Sequence, residues 1–270
     1  MQPVLSVEEF RLFVRFMYEA AGIHLPEAKL TLVSGRLLKR LKLLGLETYQ
    51  AYYDYVAPRT SDPQQHSERQ MAIDLLTTNE TYFYREPAHF DFVRKSFLTG
   101  LKTSEIRCWS AACSSGEEAY TLAMVLAEHS PVERWRIDGT DVSSRMVEAA
   151  RRAVYPMSRA QRLPEHYLKR YCLKGINNGA GTLLIDRPLR QRVNFQHGNL
   201  LEIQIEPAAY DLIFLRNVMI YFDRDTKARI LTRLRQCLKP NGYLLVGHSE
   251  SLFGLADGYQ MVHPSVYRAQ

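Results

Sequence analysis

The chain is poor in the features that most quickly settle a function. Its 270 residues hold four cysteines, Cys108, Cys113, Cys172 and Cys237, and no two of them form a CxxC pair. That scatter excludes a zinc ribbon or a disulfide framework and fits a reduced, cytosolic protein. No apolar run approaches the roughly 18 residues of a membrane helix. The start, "MQPVLSVEEF", lacks the basic residues and apolar block of a signal peptide. A GxGxxG loop, a Walker-type GKS/T and a His/Cys/carboxylate cluster at metal spacing are all missing, so NAD, ATP and a bound metal are not expected. Internal repeats and low-complexity tracts are missing too.

What is present describes an ordinary folded protein. Hydrophobic residues make up 46% and charged residues 24%, enough to bury a core. The 35 basic and 29 acidic residues leave a formal charge of +6. That excess suits an acidic partner, whether nucleic acid, membrane surface or protein, and identifies none of them.

Residues 7 to 100 read as helical. In "SVEEFRLFVRFMYEAAG", Ser6 is placed to cap a helix, Glu8 and Glu9 fall in its first turn, and Gly22 stops it. A second helix runs from about Glu27 to Leu44, with Leu30, Val33, Leu37, Leu41 and Leu44 on one face. Lys29, Arg36, Lys39 and Arg40 form a basic stripe on another face. Shorter helices are expected over 49–57 and 69–76, with a loop between them. From about residue 105 strands alternate with helices, which implies a parallel sheet covered on both faces. The expected organisation is a helical domain over 1–90 and a doubly wound α/β domain over 91–270. A small antiparallel excursion at about 170–192, "RYCLKGINNGAGTLLIDRPLRQRV" in part, interrupts the latter.

In such a sheet, ligands bind beyond the carboxyl ends of the strands. The turn after the first strand, "AACSSGEE", offers Glu117 and Glu118 where a pyrophosphate would need bare amides. Two carboxylates there suit a cationic ligand instead, or complement the helix dipole. Asp141 follows the second strand, placed to accept the hydroxyls of a ribose. Asn199 and Leu200 follow the third strand, and the polar pair Arg216–Asn217 follows the fourth, with Tyr221 next. Together these describe an adenosine-type ligand with a positive centre, as S-adenosylmethionine has.

Five strings then acquire a common meaning: "TTNETYFYRE", "WSAACSSGEEAYTLA", "LRNVMIYFD", "LKPNGYLLVGHSE" and the N-terminal helical region. In this order and spacing the chain resembles the chemotaxis receptor glutamate O-methyltransferases, the CheR family, over nearly its whole length. One departure is Leu215, where the family often has Cys. The resemblance implies a Rossmann-like class I S-adenosylmethionine-dependent methyltransferase that makes glutamate methyl esters on the cytoplasmic helices of chemoreceptors. It implies S-adenosylhomocysteine as product, no metal, a monomer without membrane insertion, and a cytoplasmic location at membrane-associated receptor arrays. Asn79, Thr81 and Arg85 carry over as cofactor-binding residues, beside Glu117, Asp141, Asn199, Leu200, Arg216 and Asn217. Arg85 and Tyr221 are the candidate guides for the substrate carboxylate, which is ionised at neutral pH and needs no general base. Arg36, Lys39 and Arg40 become candidates for docking on acidic receptor helices. In some members of the family the β-excursion captures a peptide at the receptor's C-terminus by adding a strand. A nucleic-acid methyltransferase is the rival reading, but no interleaved aromatic and basic RNA-binding motif appears.

Overall fold

The computed structural model describes residues 3–101, 103–204 and 206–270. Four helices come first: α1 (Val7–Ala21), α2 (Leu30–Leu44), α3 (Tyr49–Val56) and α4 (Pro63–Leu76). Helix α1 starts as its sequence dictates. Ser6 Oγ accepts from the Glu9 amide at 3.1 Å and Glu9 Oε2 accepts from the Ser6 amide at 2.9 Å, a closed capping box. Gly22 ends it at φ 70°, a left-handed position that glycine adopts without strain. Helix α4 begins six residues before the expected Arg69, because Asp62 caps it and Pro63 occupies its first turn.

The remainder alternates: α5 (Pro87–Phe92), β1 (Ile106–Ala111), α6 (Glu117–His129), β2 (Trp135–Asp141), α7 (Ser144–Arg152), β3 (Val154–Pro156), α8 (Glu165–Tyr171) and β4 (Cys172–Lys174). Then come β5 (Thr182–Ile185), α9 (Arg187–Arg190), β6 (Val193–His197), β7 (Tyr210–Leu215), α10 (Arg224–Cys237), β8 (Leu238–Val246), β9 (Tyr259–His263) and β10 (Val266–Ala269). The main sheet runs in the order β6-β2-β1-β7-β8-β10-β9. Its first five strands are parallel, and strand order reverses between β1 and β7, where a cleft can open.

The expected parallel sheet carries an antiparallel addition at one edge. Strands β9 and β10 form an antiparallel hairpin on β8, turning at Pro264–Ser265. The excursion also starts earlier than residue 170. It is a three-stranded antiparallel sheet in the order β3-β5-β4, and β3 comes from 154–156.

Core residues of the four N-terminal helices and one face of the sheet make a single cluster. Phe10, Phe13, Met17 and Leu37 pack in the same body as Trp109, Leu215, Leu231 and Tyr267. Each fully buried Leu, Met or Phe contributes about 1.5–3 kcal/mol. This shared core fixes the helices over the carboxyl ends of the strands and so over the cleft.

Candidate functional site

A cavity of about 1190 Å³, mouth included, opens beyond the carboxyl ends of β1, β2, β6 and β7. Of the residues expected from sequence, Asn79, Thr81, Arg85, Asp141, Asn199, Leu200, Arg216, Asn217 and Tyr221 all line it. They come from four separate stretches of chain, at 79–85, 141, 199–200 and 216–221, which the fold alone brings together.

The turn after β1 is built without GxGxxG glycines. Ala112 and Ser114 take left-handed φ angles of 63° and 50°, strained for residues bearing a Cβ. Gly116, at φ 93°, has no such choice: a Cβ there would lie 2.8 Å from Ala150 Cβ. Helix α6 therefore starts tight against α7 and aims its first turn at the cleft.

Of the expected cofactor residues, Glu117 stands apart. It does not line the cavity, whereas Glu118 does. Glu117 is buried off the cavity wall, accepting from Ser115 Oγ at 2.7 Å and lying 3.7 Å from Arg159 Nη1. Successive helical residues point about 100° apart, so one residue of shift changes which acid meets a ligand. Glu118 accepts from Ser110 Oγ at 2.6 Å and from Arg216 Nη1 at 3.0 Å. Burial raises its pKa, against the pull of Arg216.

Asp141 stands where β2 ends. Its oxygens accept the backbone amides of Ser114 and Ser143 at 2.8 and 2.9 Å. Ser143, not Asp141, caps α7. Burial outweighs the two amides and pushes the Asp141 pKa up to about 6.

Arg216 and Asn217 find partners in two carboxylates that sequence reasoning missed, Glu86 and Glu250, beside the expected Glu118. Arg216 donates to Glu86 Oε2 at 2.9 Å and to the Arg85 carbonyl as well as to Glu118. Asn217, at φ 56°, donates its side chain to Glu86 Oε1 at 3.2 Å and its amide to Glu250 Oε2 at 2.8 Å. Glu250 also accepts from the amides of Met219 and Gly247. Burial works the other way, yet the Arg216 charge and these hydrogen bonds hold Glu86 down to about 2. The guanidinium of Arg216 thus positions Glu118 and Glu86 more than it offers itself to a ligand.

The segment 77–86 crosses from the helices to the sheet. Asn79 donates to Thr77 Oγ1 at 3.1 Å while its carbonyl accepts from Ser114 Oγ at 3.3 Å. The Thr81 carbonyl accepts from Arg159. Arg85 donates to the Glu80 carbonyl at 2.9 Å. Asn199 ties β6 to α1, donating to the Ala20 carbonyl at 3.0 Å. The half-buried Tyr221 keeps its proton, its pKa raised by burial.

An unexpected wall comes from the α1–α2 connection. Ile23, His24, Leu25, Pro26 and Lys29 line the cavity, and the His24 amide donates to the Tyr221 carbonyl at 2.8 Å. The apolar "IHLP" after the Gly22 stop was the available signal. Asp74 was missed as well: its buried carboxylate accepts the Ser144 hydroxyl and amide and the Arg145 amide, tying α4 to the start of α7.

The basic stripe on α2 does not stand free as expected. Arg36 donates to the carbonyls of Leu75 and Thr77 at 2.8 and 2.9 Å, and Arg40 forms an ion pair with the buried Glu68. Both hold α2 against α4; Lys39 is exposed, and Lys29 turns to the cleft. The fold also brings together Glu86, His89 and, from far along the chain, His248. Burial and the Arg216 charge hold His89 neutral, its pKa down to about 3.

A doubly wound α/β domain with an acid at its first turn, an acid after its second strand and a helical wall defines a nucleoside-cofactor enzyme of the methyltransferase class. Comparison with known proteins agrees. Residues 8–77 match the family profile "CheR methyltransferase, all-alpha domain" and residues 79–268 match "CheR methyltransferase, SAM binding domain". The chain is 36% identical to the chemotaxis protein methyltransferase of Salmonella typhimurium over 97% of its own length and 90% of the relative's. It is 37% identical to that of Escherichia coli over 97% and 91%. A solved S-adenosylmethionine-dependent methyltransferase from Methanosarcina mazei is a distant likeness, 17% identical over 56% of each chain with a TM-score of 0.35. The chain belongs to the CheR methyltransferase family.

Proposed function

We propose that the protein transfers the methyl group of S-adenosylmethionine to glutamate carboxylates on the cytoplasmic helices of chemoreceptors, releasing S-adenosylhomocysteine and a glutamate methyl ester. The observation that carries this reading is the joint wall of the cleft. Cofactor-type residues of the α/β domain, Glu118 and Asp141, share one cavity with residues of the helical region, His24 and Lys29. A methyl donor held on the sheet side would meet a protein substrate arriving over the helices.

Glu118 attracts the positive centre of the cofactor and Asp141 accepts from its ribose. Asn79, Thr81, Asn199, Leu200, Arg216 and Asn217 shape the rest of the cavity. The substrate carboxylate is the nucleophile in an in-line displacement, so the protein supplies proximity and exclusion of water. Arg85 and Tyr221, on the cavity wall, steer the carboxylate and compensate its lost hydration. Lys39, the exposed member of the α2 stripe, meets the acidic receptor helix. The β-excursion presents β4 at its edge, with Leu173 and Ile176 exposed, which supports capture of an extended receptor peptide by strand addition. Among the described residues no helix is long and apolar enough to cross a membrane. On this reading the protein acts as a monomer from the cytoplasm at receptor arrays.

Labelled S-adenosylmethionine tests the reading against chemoreceptor, RNA and no substrate. Base-labile label on the receptor alone supports it. Label on RNA, or none on the receptor, overturns it.

A further inference from the structure

One contact removed from the cleft, three metal-ligating side chains converge. Glu86, His89 and His248 each offer a donor atom, and these atoms lie within 4.8 Å of one another. Glu86 and His89 are close in sequence, but His248 arrives from beyond β8, so the fold assembles the group.

His89 is 1% exposed, yet neither of its ring nitrogens has a hydrogen-bond partner. Buried polar groups in native proteins are almost always satisfied, and an exception calls for a ligand or a role. Its Nδ1 lies 3.4 Å from Glu86 Oε2. That carboxylate–imidazole arrangement fixes the ring of many metal-binding histidines and leaves Nε2 to the ion. The His89 and His248 rings meet edge to face, 4.9 Å between centroids. His248 is exposed, so its side chain can close the remaining distance. An open pocket lined by Asp91, Lys95, His248 and His263 gives an ion a path from solvent.

We propose that His89 and His248, with Glu86 orienting His89, bind one divalent cation of the borderline, imidazole-preferring kind, as Zn²⁺, Ni²⁺ and Cu²⁺ are. Imidazole pairs favour these ions, whereas Mg²⁺ and Ca²⁺ prefer sets of oxygens. Glu86 is already shared with Arg216 and Asn217, so its place is beside the imidazole and not as the main anchor.

The test is calorimetric titration of the full, tag-free chain with Zn²⁺ and separately with Mg²⁺. One Zn²⁺ and no Mg²⁺ should bind. His248→Gln should weaken Zn²⁺ at least tenfold, while His263→Gln, outside the triad, should not. Melting without metal verifies that the exposed His248→Gln chain folds, and added Zn²⁺ should raise the melting temperature of the parent more than that of this variant. No Zn²⁺ uptake, or uptake by His248→Gln equal to the parent's, would overturn the site.

Discussion

Raising the pH from about 5 to about 7.5 should tighten binding of S-adenosylhomocysteine roughly tenfold, and Asp141 should account for the change. Its carboxylate is buried with a pKa near 6, where the ordinary value is 3.8. At about pH 5 some nine-tenths of it is protonated in the unliganded protein, and ribose hydroxyls need it as an acceptor. Expelling that proton costs about 1.4 kcal/mol at pH 5 and almost nothing at 7.5, a tenfold difference. Neighbouring charges belong to Asp74, which raises the pKa, and to His197, which lowers it. His197 lies close enough to act on Asp141, so Asp141→Asn is the necessary control. Calorimetry in buffers of different ionisation enthalpy should count close to one proton released at pH 5, and none attributable to this site in the Asn variant. Stability runs the opposite way. A raised pKa contributes stability that is whole below 3.8 and is lost as pH rises through about 6, worth roughly 3 kcal/mol in all. Asp141→Asn should therefore gain on the parent as pH rises across that window. A pH slope for binding that persists in Asp141→Asn, or no slope in the parent, would refute the assignment.

Five further outcomes follow from the same geometry. Glu118→Gln should weaken S-adenosylmethionine about 5- to 30-fold, since a charge pair near 4 Å is worth about 4 kcal/mol at an effective dielectric of 20 and Glu118 shares its charge with Arg216. Glu117→Gln should lower the melting temperature and leave affinity within about twofold; the reverse pattern would return the site to Glu117. Tyr221→Phe should reduce turnover more than cofactor affinity, and equal turnover would remove the phenol from the mechanism. Arg40→Ala should cost about 2–3 kcal/mol in urea unfolding, discounted for its partial exposure, because Glu68 stays buried. Lys39→Glu should slow receptor methylation with unaltered cofactor binding, and equal rates would make Lys39 plain surface.

Local signals in the chain were legible where physics is local. Ser6 and Gly22 bound α1 because capping involves a few adjacent residues. Asp141, Asn199 and Arg216–Asn217 could be placed because strand ends in an alternating fold point to one cleft. What escaped depends on rotation or on distant partners. Composition cannot say which of two neighbouring acids on α6 faces the ligand, nor that Arg36 and Arg40 spend their donors on α4. The hairpin β9–β10 follows an irregular stretch at 247–258, which hid its alternation.

The segment "TTNETYFYRE" shows why the site resists reading by motif. Polar residues beside aromatics there first suggest a cap. In the structure Phe83 is fully buried, and Tyr84 and Glu86 hold left-handed φ angles of 61° and 56°. Such strain persists only where surroundings over-determine it. Here they do: Phe83 anchors the segment, Arg216 binds both the Arg85 carbonyl and Glu86, and Ser114 holds the Asn79 carbonyl. The twist lets one short stretch present Asn79, Thr81 and Arg85 to the cavity while Glu86 reaches back to the end of β7. Glu86→Ala would remove one shared partner from both Arg216 and Asn217, so its effect on cofactor binding should exceed that of Asn79→Ala. Were the two equal, the segment would be a set of independent contacts and not a single strained brace.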